Sequence, residues 1–206
     1  YPEGGGVSAR HLAVGLTGAS GSIYGLTLCR ELLRSGARVS LMISSAGFAV
    51  LEKECGLAWQ GCPDLQGELC RYFQVAPERL SYYAENDFLA PIASGSAAPD
   101  QLIVAPCSMG SLARIAQGVS GNLLERTADV MLKEGRPLLL VPRETPLNAI
   151  HLENMLKLAR LGVRIIPATP AFYQGPKTLQ DLVDFVVGKV LDAAGVEHEL
   201  FRRWGS

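Results

Sequence analysis

The sequence predicts an α/β protein, a parallel sheet with helices on both faces, three layers deep. Three observations carry this reading. The apolar runs at 11–16, 38–43, 101–106, 137–142 and 163–168 are continuous rather than alternating, as strands buried on both faces are. Segments with helical periodicity separate them, as crossovers between parallel strands require. A chain of 206 residues that is 48% hydrophobic can bury one sizeable core.

Each element has its own signal. Residues 1–10, "YPEGGGVSAR", are expected to be a flexible leader, with one domain over 11–194 and a tail over 195–206. "HLAVGL" (11–16) is the first strand. Ser20 is placed to cap a helix over about 21–35, which Ser35-Gly36 ends. "RVSLMI" (38–43) is the second strand, followed by a helix over about 45–55. Residues 56–68 carry Gly56, Gly61, Pro63 and Gly67 and read as a loop. "RLSYYA" (79–84) is a further strand, and the small-residue stretch 91–99 a loop. "QLIVAP" (101–106) is a strand and "SMGSLARIAQG" a helix ending at Gly118. A helix over 122–134, the strand 137–142, a helix over 147–161, the strand 163–168 and a helix over 178–193 complete the pattern.

Composition narrows the function. A net charge of −1 argues against a nucleic-acid binder, which needs a basic surface. No apolar run has the length of a membrane span. The five cysteines form no CxxC pair, so neither a disulfide framework nor a zinc site is expected, and a reducing cytoplasm is the natural setting. His11, His151 and His198 are far apart and form no HExxH pair, which gives a metal centre little support.

Ligands of open parallel sheets lie beyond the carboxyl ends of the strands. Segments 17–21, 44–45, 106–110, 142–146 and 168–173 should therefore line any site. In "GLTGASGSIYG" (15–25), glycines allow close backbone approach, and a helix N-terminus offers free amides to a phosphate. A tight strand–helix turn capped by Ser20 is the plain alternative. No GK[ST] follows, which excludes a P-loop. The second strand ends in Ser44 and Ser45 rather than in an acid able to hold a ribose, so a phosphate-bearing ligand such as FMN fits better than NAD. "APCSMGS" (105–111) repeats the design: small residues leave room for a flat ring, or Ser108 is simply a helix cap. Cys107 reads as a small buried residue, since no histidine is positioned to activate it. Arg126 and Lys133 share a helix face and could grip a phosphate, or could belong to a solvated face on which Asp129 pairs with Lys133. Arg143 and Glu144 fall just past a buried strand, where an arginine can bind phosphate bidentately and a glutamate can move a proton.

Together, "TGASGSIYG", "APCSMGSLARIAQG", "LLERTADVMLKEGRPLLLVPRETPLNAIHLENMLKLARLGVRIIPATPAFY" and the tail "RW" resemble the UbiX-type flavin prenyltransferases, once classed as 3-octaprenyl-4-hydroxybenzoate or phenylacrylate decarboxylases. The resemblance spans about residues 11–205. It implies a Rossmann-like, flavodoxin-type fold, usually assembled as a dodecamer. It implies transfer of a dimethylallyl group from dimethylallyl phosphate to N5 and C6 of reduced FMN, with release of phosphate and without a metal. The prenylated FMN would serve a UbiD-type decarboxylase. Residue by residue, the resemblance assigns FMN binding to Gly18, Ala19, Ser20, Ser44, Cys107, Ser108, Met109, Gly110 and Arg143. It pairs Ser20 with Glu144 near the leaving phosphate and makes Glu54 the base for the C6 proton. It assigns the phosphate grip to Arg126, Lys133, Tyr173 and Lys189, and makes Trp204 an aromatic that closes over the site. Two other readings are weighed against it. A cysteine-decarboxylase flavoprotein would need a histidine in the middle region, and residues 85–98 contain none. A carrier that only binds FMN would not need the Arg, Lys, Tyr and Glu cluster.

Overall fold

The structure is a computed structural model that describes residues 9–201. Among these residues there are six strands and seven α-helices, in the order β1 (His11–Leu16), α1 (Ser22–Arg34), β2 (Arg38–Ile43), α2 (Ser45–Cys55), α3 (Leu65–Phe73), β3 (Leu80–Tyr83), β4 (Gln101–Cys107), α4 (Met109–Ala116), α5 (Leu123–Lys133), β5 (Leu138–Pro142), α6 (Ala149–Arg160), β6 (Arg164–Ile165) and α7 (Leu179–Ala194). The strands form one parallel sheet in the order β3-β2-β1-β4-β5-β6. This is the Rossmann order, and without the short edge strand β3 it is the flavodoxin order.

The strands sort their side chains with period two. Leu12, Val14, Val39, Leu41, Ile103, Ala105, Leu139 and Val141 join one core, which is closed by α1, α2, α3 and α7. Ala13, Met42, Leu102, Val104, Leu138 and Leu140 join the other, closed by α4, α5 and α6. Both faces are covered, which explains the unbroken apolar runs. Each fully buried Leu or Val contributes roughly 1.5–3 kcal/mol. Gly25 lets α1 lie against the sheet, since a Cβ there would run into the carbonyl oxygen of Ala105.

Three expectations are corrected. The stretch 56–68 is not wholly loop: α3 begins at Leu65, and Asp64 caps it by accepting the Gly67 amide at 2.9 Å. The strand expected over 163–168 pairs only at Arg164 and Ile165. Ser20 does not cap α1; the cap residue is Gly21, in the left-handed region (φ 103°), and no side chain of its own bonds the helix. The acceptor comes from α2 instead. The Glu54 carboxylate takes the amides of Gly21 and Ser22 at 2.9 and 3.1 Å.

Helix α6 is thinly covered. Only Asn154 and Leu158 of its residues are buried, while Ile150, Leu152 and Leu156 are more than half exposed. At the other end of the chain, residues 195–201 turn back along α7. Phe201 packs on Phe185 with ring centroids 5.3 Å apart, and His198 bonds Asp192 at 3.2 Å. Trp204 lies outside the described residues.

The cap from Glu54 has a pH signature. Burial pushes this carboxyl up, but hydrogen bonds from Ser20, Gly21 and Ser22, together with the Arg143 charge, outweigh it and hold the group below the usual carboxylate range. A depressed carboxylate contributes stability above its unfolded pKa and loses it as pH falls through the folded value. Glu54→Ala should therefore lower unfolding stability by about 1 kcal/mol at pH 7. The difference from the parent should shrink as pH falls below the ordinary carboxylate range. Urea unfolding of both proteins across that range checks the sign.

Candidate active site

The carboxyl edge of the sheet continues past its regular ladder by single hydrogen bonds. Ser44 donates its amide to Leu16 O at 3.0 Å, Thr17 to Pro106 O at 3.2 Å, Arg143 to Cys107 O at 3.4 Å and Ala168 to Pro142 O at 3.0 Å. These contacts bring the turns after β1, β2, β4 and β5 side by side. The chain leaves β1 toward one face and β4 toward the other, so the turns at Gly18–Ser20 and Cys107–Gly110 border the switch point where ligands of such sheets bind.

At this edge the structure brings Ser20, Glu54 and Arg143 together. The Ser20 hydroxyl bonds Glu54, and the Arg143 charge acts on the same carboxylate. Tyr24, half-buried in the first turns of α1, joins them. Burial raises its phenol, and Arg143 opposes the rise. Nothing in the spacing of the sequence singled out Tyr24, although it stands within the glycine-rich stretch. With Glu54 on the Gly21 and Ser22 amides, the terminus of α1 is already neutralised. Those two amides are not free, so an anion at this turn would use neighbouring donors.

Ser44 caps α2 by accepting the Gly47 amide at 3.0 Å. Glu85, which sequence reasoning missed, takes the Ser45 amide at 3.1 Å and bonds its hydroxyl. Ser108 caps α4, the plain alternative weighed for it, accepting the Ser111 amide at 3.1 Å. Met109 and Gly110 open that helix, where backbone amides have no intrahelical partner. The Cys107 side chain is fully buried and its thiol is pushed up to about 12, with Arg114 opposing the rise. It stays protonated at neutral pH and is no nucleophile. Buried Glu125 pairs with Arg114 and takes the Gly121 amide at 2.9 Å, tying the start of α5 to α4.

The residues expected to grip a phosphate have neighbours of their own in the chain. Arg126 pairs with Asp129 at 3.1 Å and donates to Ala93 O, and Lys133 pairs with Glu134 at 3.2 Å. The Asp129–Lys133 pairing considered from sequence is replaced by these two. Helix α5 runs from Leu123, bonded to Glu85 O, toward Arg136, which holds the Ala98 and Pro99 carbonyls before β5 begins. Lys133 therefore sits near the amino edge of the sheet, away from Arg143. Tyr173 and Lys189 do share a neighbour. The Tyr173 ring meets Phe185 edge-on at 5.9 Å, and Lys189 Nζ lies 5.7 and 5.3 Å from the Phe185 and Phe201 centroids. Glu144 is exposed, and its carboxylate accepts the Thr145 amide at 2.9 Å.

Two observations fit this edge to a flavin phosphate. Arg143 Nε is buried and, like Ser22 Oγ and Thr27 Oγ1, has no hydrogen-bond partner among the described residues, so it is a donor that a ligand could use. Gly18 lies so close to α2 that a Cβ would sit 2.5 Å from Ala46 Cβ, so only bare backbone can occupy this turn. Arg143, Ser20, Ser44 and the first amides of α4 are the groups that could hold the phosphate and the ring edge.

Comparisons with known proteins agree with this geometry. The family model described as Flavoprotein matches residues 3–191. The flavin prenyltransferase UbiX of Halalkalibacterium halodurans is 56% identical over 192 residues, 93% of this chain and 92% of that protein. The crystal structure of AnUbiX in complex with FMN and dimethylallyl pyrophosphate superposes with a TM-score of 0.86 at 38% identity, covering 96% of this chain and 98% of that one. A dodecameric FMN-dependent UbiX-like decarboxylase from Escherichia coli O157:H7 does so with a TM-score of 0.85 at 41% identity, covering 96% and 100%. Identity this high over nearly the full length of both chains, on a sheet whose switch point carries the expected turns, places the chain in the UbiX flavin prenyltransferase family of flavoproteins.

Proposed function

We propose that this protein transfers a dimethylallyl group from dimethylallyl phosphate to N5 and C6 of reduced FMN and releases phosphate. The observation that carries this reading is the buried, unpartnered Arg143 Nε beside the Ser20–Glu54 pair. Reduced FMN supplies the electron-rich N5 and C6, and the allylic donor supplies a delocalised carbocation once phosphate leaves.

The residues divide the work by charge. Arg143 offers a fixed cation to the flavin phosphate. Gly18, Ala19, Ser44 and the segment Cys107, Ser108, Met109 and Gly110 bring backbone and hydroxyl groups to the same ligand. Glu54 is held below the usual carboxylate range and is charged at neutral pH, so it accepts a proton rather than donating one, as removal of the C6 proton requires. Ser20 and Glu144 manage the proton on the departing phosphate. Tyr173 and Lys189 take the donor's phosphate, and the Phe185 and Phe201 rings beside Lys189 favour cationic charge in that region. Lys133 sits toward the amino edge of the sheet, and Arg126 is engaged by Asp129 and the Ala93 carbonyl, so their share in the grip calls for an adjoining copy. A dodecamer like that of the Escherichia coli relative would supply one, and the outward apolar face of α6 suits such packing. We assign the closing role to Trp204 from the family pattern. The product would pass to a UbiD-type decarboxylase. The five unpaired cysteines suit a reducing cytoplasm, and among the described residues no helix is long and apolar enough to cross a membrane.

Three measurements test the reading. Anaerobic incubation with reduced FMN and dimethylallyl phosphate should give a flavin heavier by one prenyl unit on mass spectrometry, only when protein is present. Ser20→Ala and Glu144→Gln should keep FMN but lose most of that product; loss of FMN with the fold intact would refute the division of roles, and bound but unchanged FMN with the parent would favour a carrier. Arg143→Met should weaken FMN binding by about 2 kcal/mol, roughly 30-fold in Kd, measured by fluorescence titration.

A further inference from the structure

We propose that Thr17 is a positioning residue for prenyl transfer: its hydroxyl sets the spacing between the Gly18–Ser20 turn and the Ser108–Gly110 turn. The inference rests on the reaction proposed above. Thr17 follows directly on β1 and is 1% exposed. Its Oγ donates to Pro106 O at 2.8 Å and accepts the Ser108 amide at 2.7 Å. A hydroxyl has one proton to give and lone pairs to receive, so this single group satisfies a donor and an acceptor of the opposite strand end at once.

The sheet alone does not fix this spacing. The β1–β4 register runs through Gly15 opposite Val104. The β4–β5 register slips between Val104 and Cys107. Ser108 therefore lies beyond the regular pairing on one side and next to an irregularity on the other. Thr17 supplies the missing rung with its side chain, and its amide adds the 3.2 Å bond to Pro106 O.

The placement is transmitted to the site in both directions. Thr17 is covalently joined to Gly18, the first residue of one turn. Ser108 is the cap of α4: its Oγ accepts the Ser111 amide at 3.1 Å and donates to Ser111 Oγ at 3.0 Å. A shift of Ser108 would carry the first turn of α4 with it. A reacting pair misplaced by about 1 Å can cost roughly 100-fold in rate, so a clasp of this kind acts on turnover without touching a substrate.

Thr17→Val removes the hydroxyl and leaves the shape, whereas Thr17→Ser retains the hydroxyl and drops the methyl. The test compares both with the parent in anaerobic prenylation at saturating reduced FMN and dimethylallyl phosphate, and records the visible circular dichroism of bound FMN. The valine variant should bind FMN, with kcat lowered roughly tenfold or more and an altered flavin band. The serine variant should restore both toward the parent. Parental kcat and flavin band in Thr17→Val, or a serine variant as slow as the valine one, would overturn the proposal. If Thr17→Val does not fold, Thr17→Cys takes its place, because a thiol bonds weakly at the same position. Slow turnover with bound flavin is expected of it, and parental turnover would again overturn the clasp. A parent that binds FMN but makes no heavier flavin would sink the transferase reading, while the circular dichroism comparison would still decide the clasp.

Discussion

The site depends on hydrogen bonds that begin where the regular ladder of the sheet ends. A parallel sheet aligns its strands through many equivalent rungs, but the turns beyond its carboxyl edge are held by single contacts: Ser44 to Leu16, Thr17 to Pro106, Arg143 to Cys107 and Ala168 to Pro142. Each adds only about 1 kcal/mol net. Their larger effect is geometric, because each fixes one turn against the next. The two cores beneath them, one on each face, make this edge stiff enough for such weak bonds to define positions.

Charge is distributed along the same edge by side chains from a distance. Glu54 lies on the terminus of α1 and Glu85 on that of α2, so both helix ends already face a carboxylate of the chain itself. The terminus of α4 is capped by a neutral hydroxyl instead, that of Ser108. The α4 terminus therefore offers an incoming anion a helix end without a competing carboxylate, next to the turn that carries Arg143. Glu125, buried and paired with Arg114, anchors that helix from behind. Breaking such a pair would strand a buried charge, which is far more costly than the pair's own net worth.

Much of this was legible in the sequence. The continuous apolar runs gave β1, β2, β4 and β5 to within a residue or so, because burial on both faces leaves no room for polar alternation. The glycine-rich turn and the Ser108 cap followed from local chemistry. What could not be read was anything decided by a residue distant in sequence. Ser20 looked like the cap of α1, but Glu54 wins the amides by reaching across from α2 with a full charge. Helix α3 was hidden because Gly67 falls in its first turn, where the Asp64 cap compensates. The sixth strand is cut to two residues because it pairs only with β5 at the sheet's edge. Arg126 chose Asp129 rather than leaving it to Lys133, and no spacing rule distinguishes an i,i+3 partner from an i,i+4 one. Glu54 and Arg143 were assigned by resemblance and meet in the structure. Arg126 and Lys133 were assigned in the same way, and each pairs with a nearby carboxylate, Asp129 and Glu134.

The burial of Cys107 has a chemical consequence for selectivity. An allylic cation is captured by whichever soft nucleophile reaches it first, and a thiolate beside the flavin would be a strong competitor. With its side chain fully enclosed and its thiol pushed up to about 12, Cys107 is held in the unreactive thiol form. The chain can thus keep a small, polarizable side chain in the segment expected to border the ring without exposing itself to alkylation. Enclosing the sulfur in the core protects the catalyst from its own electrophile.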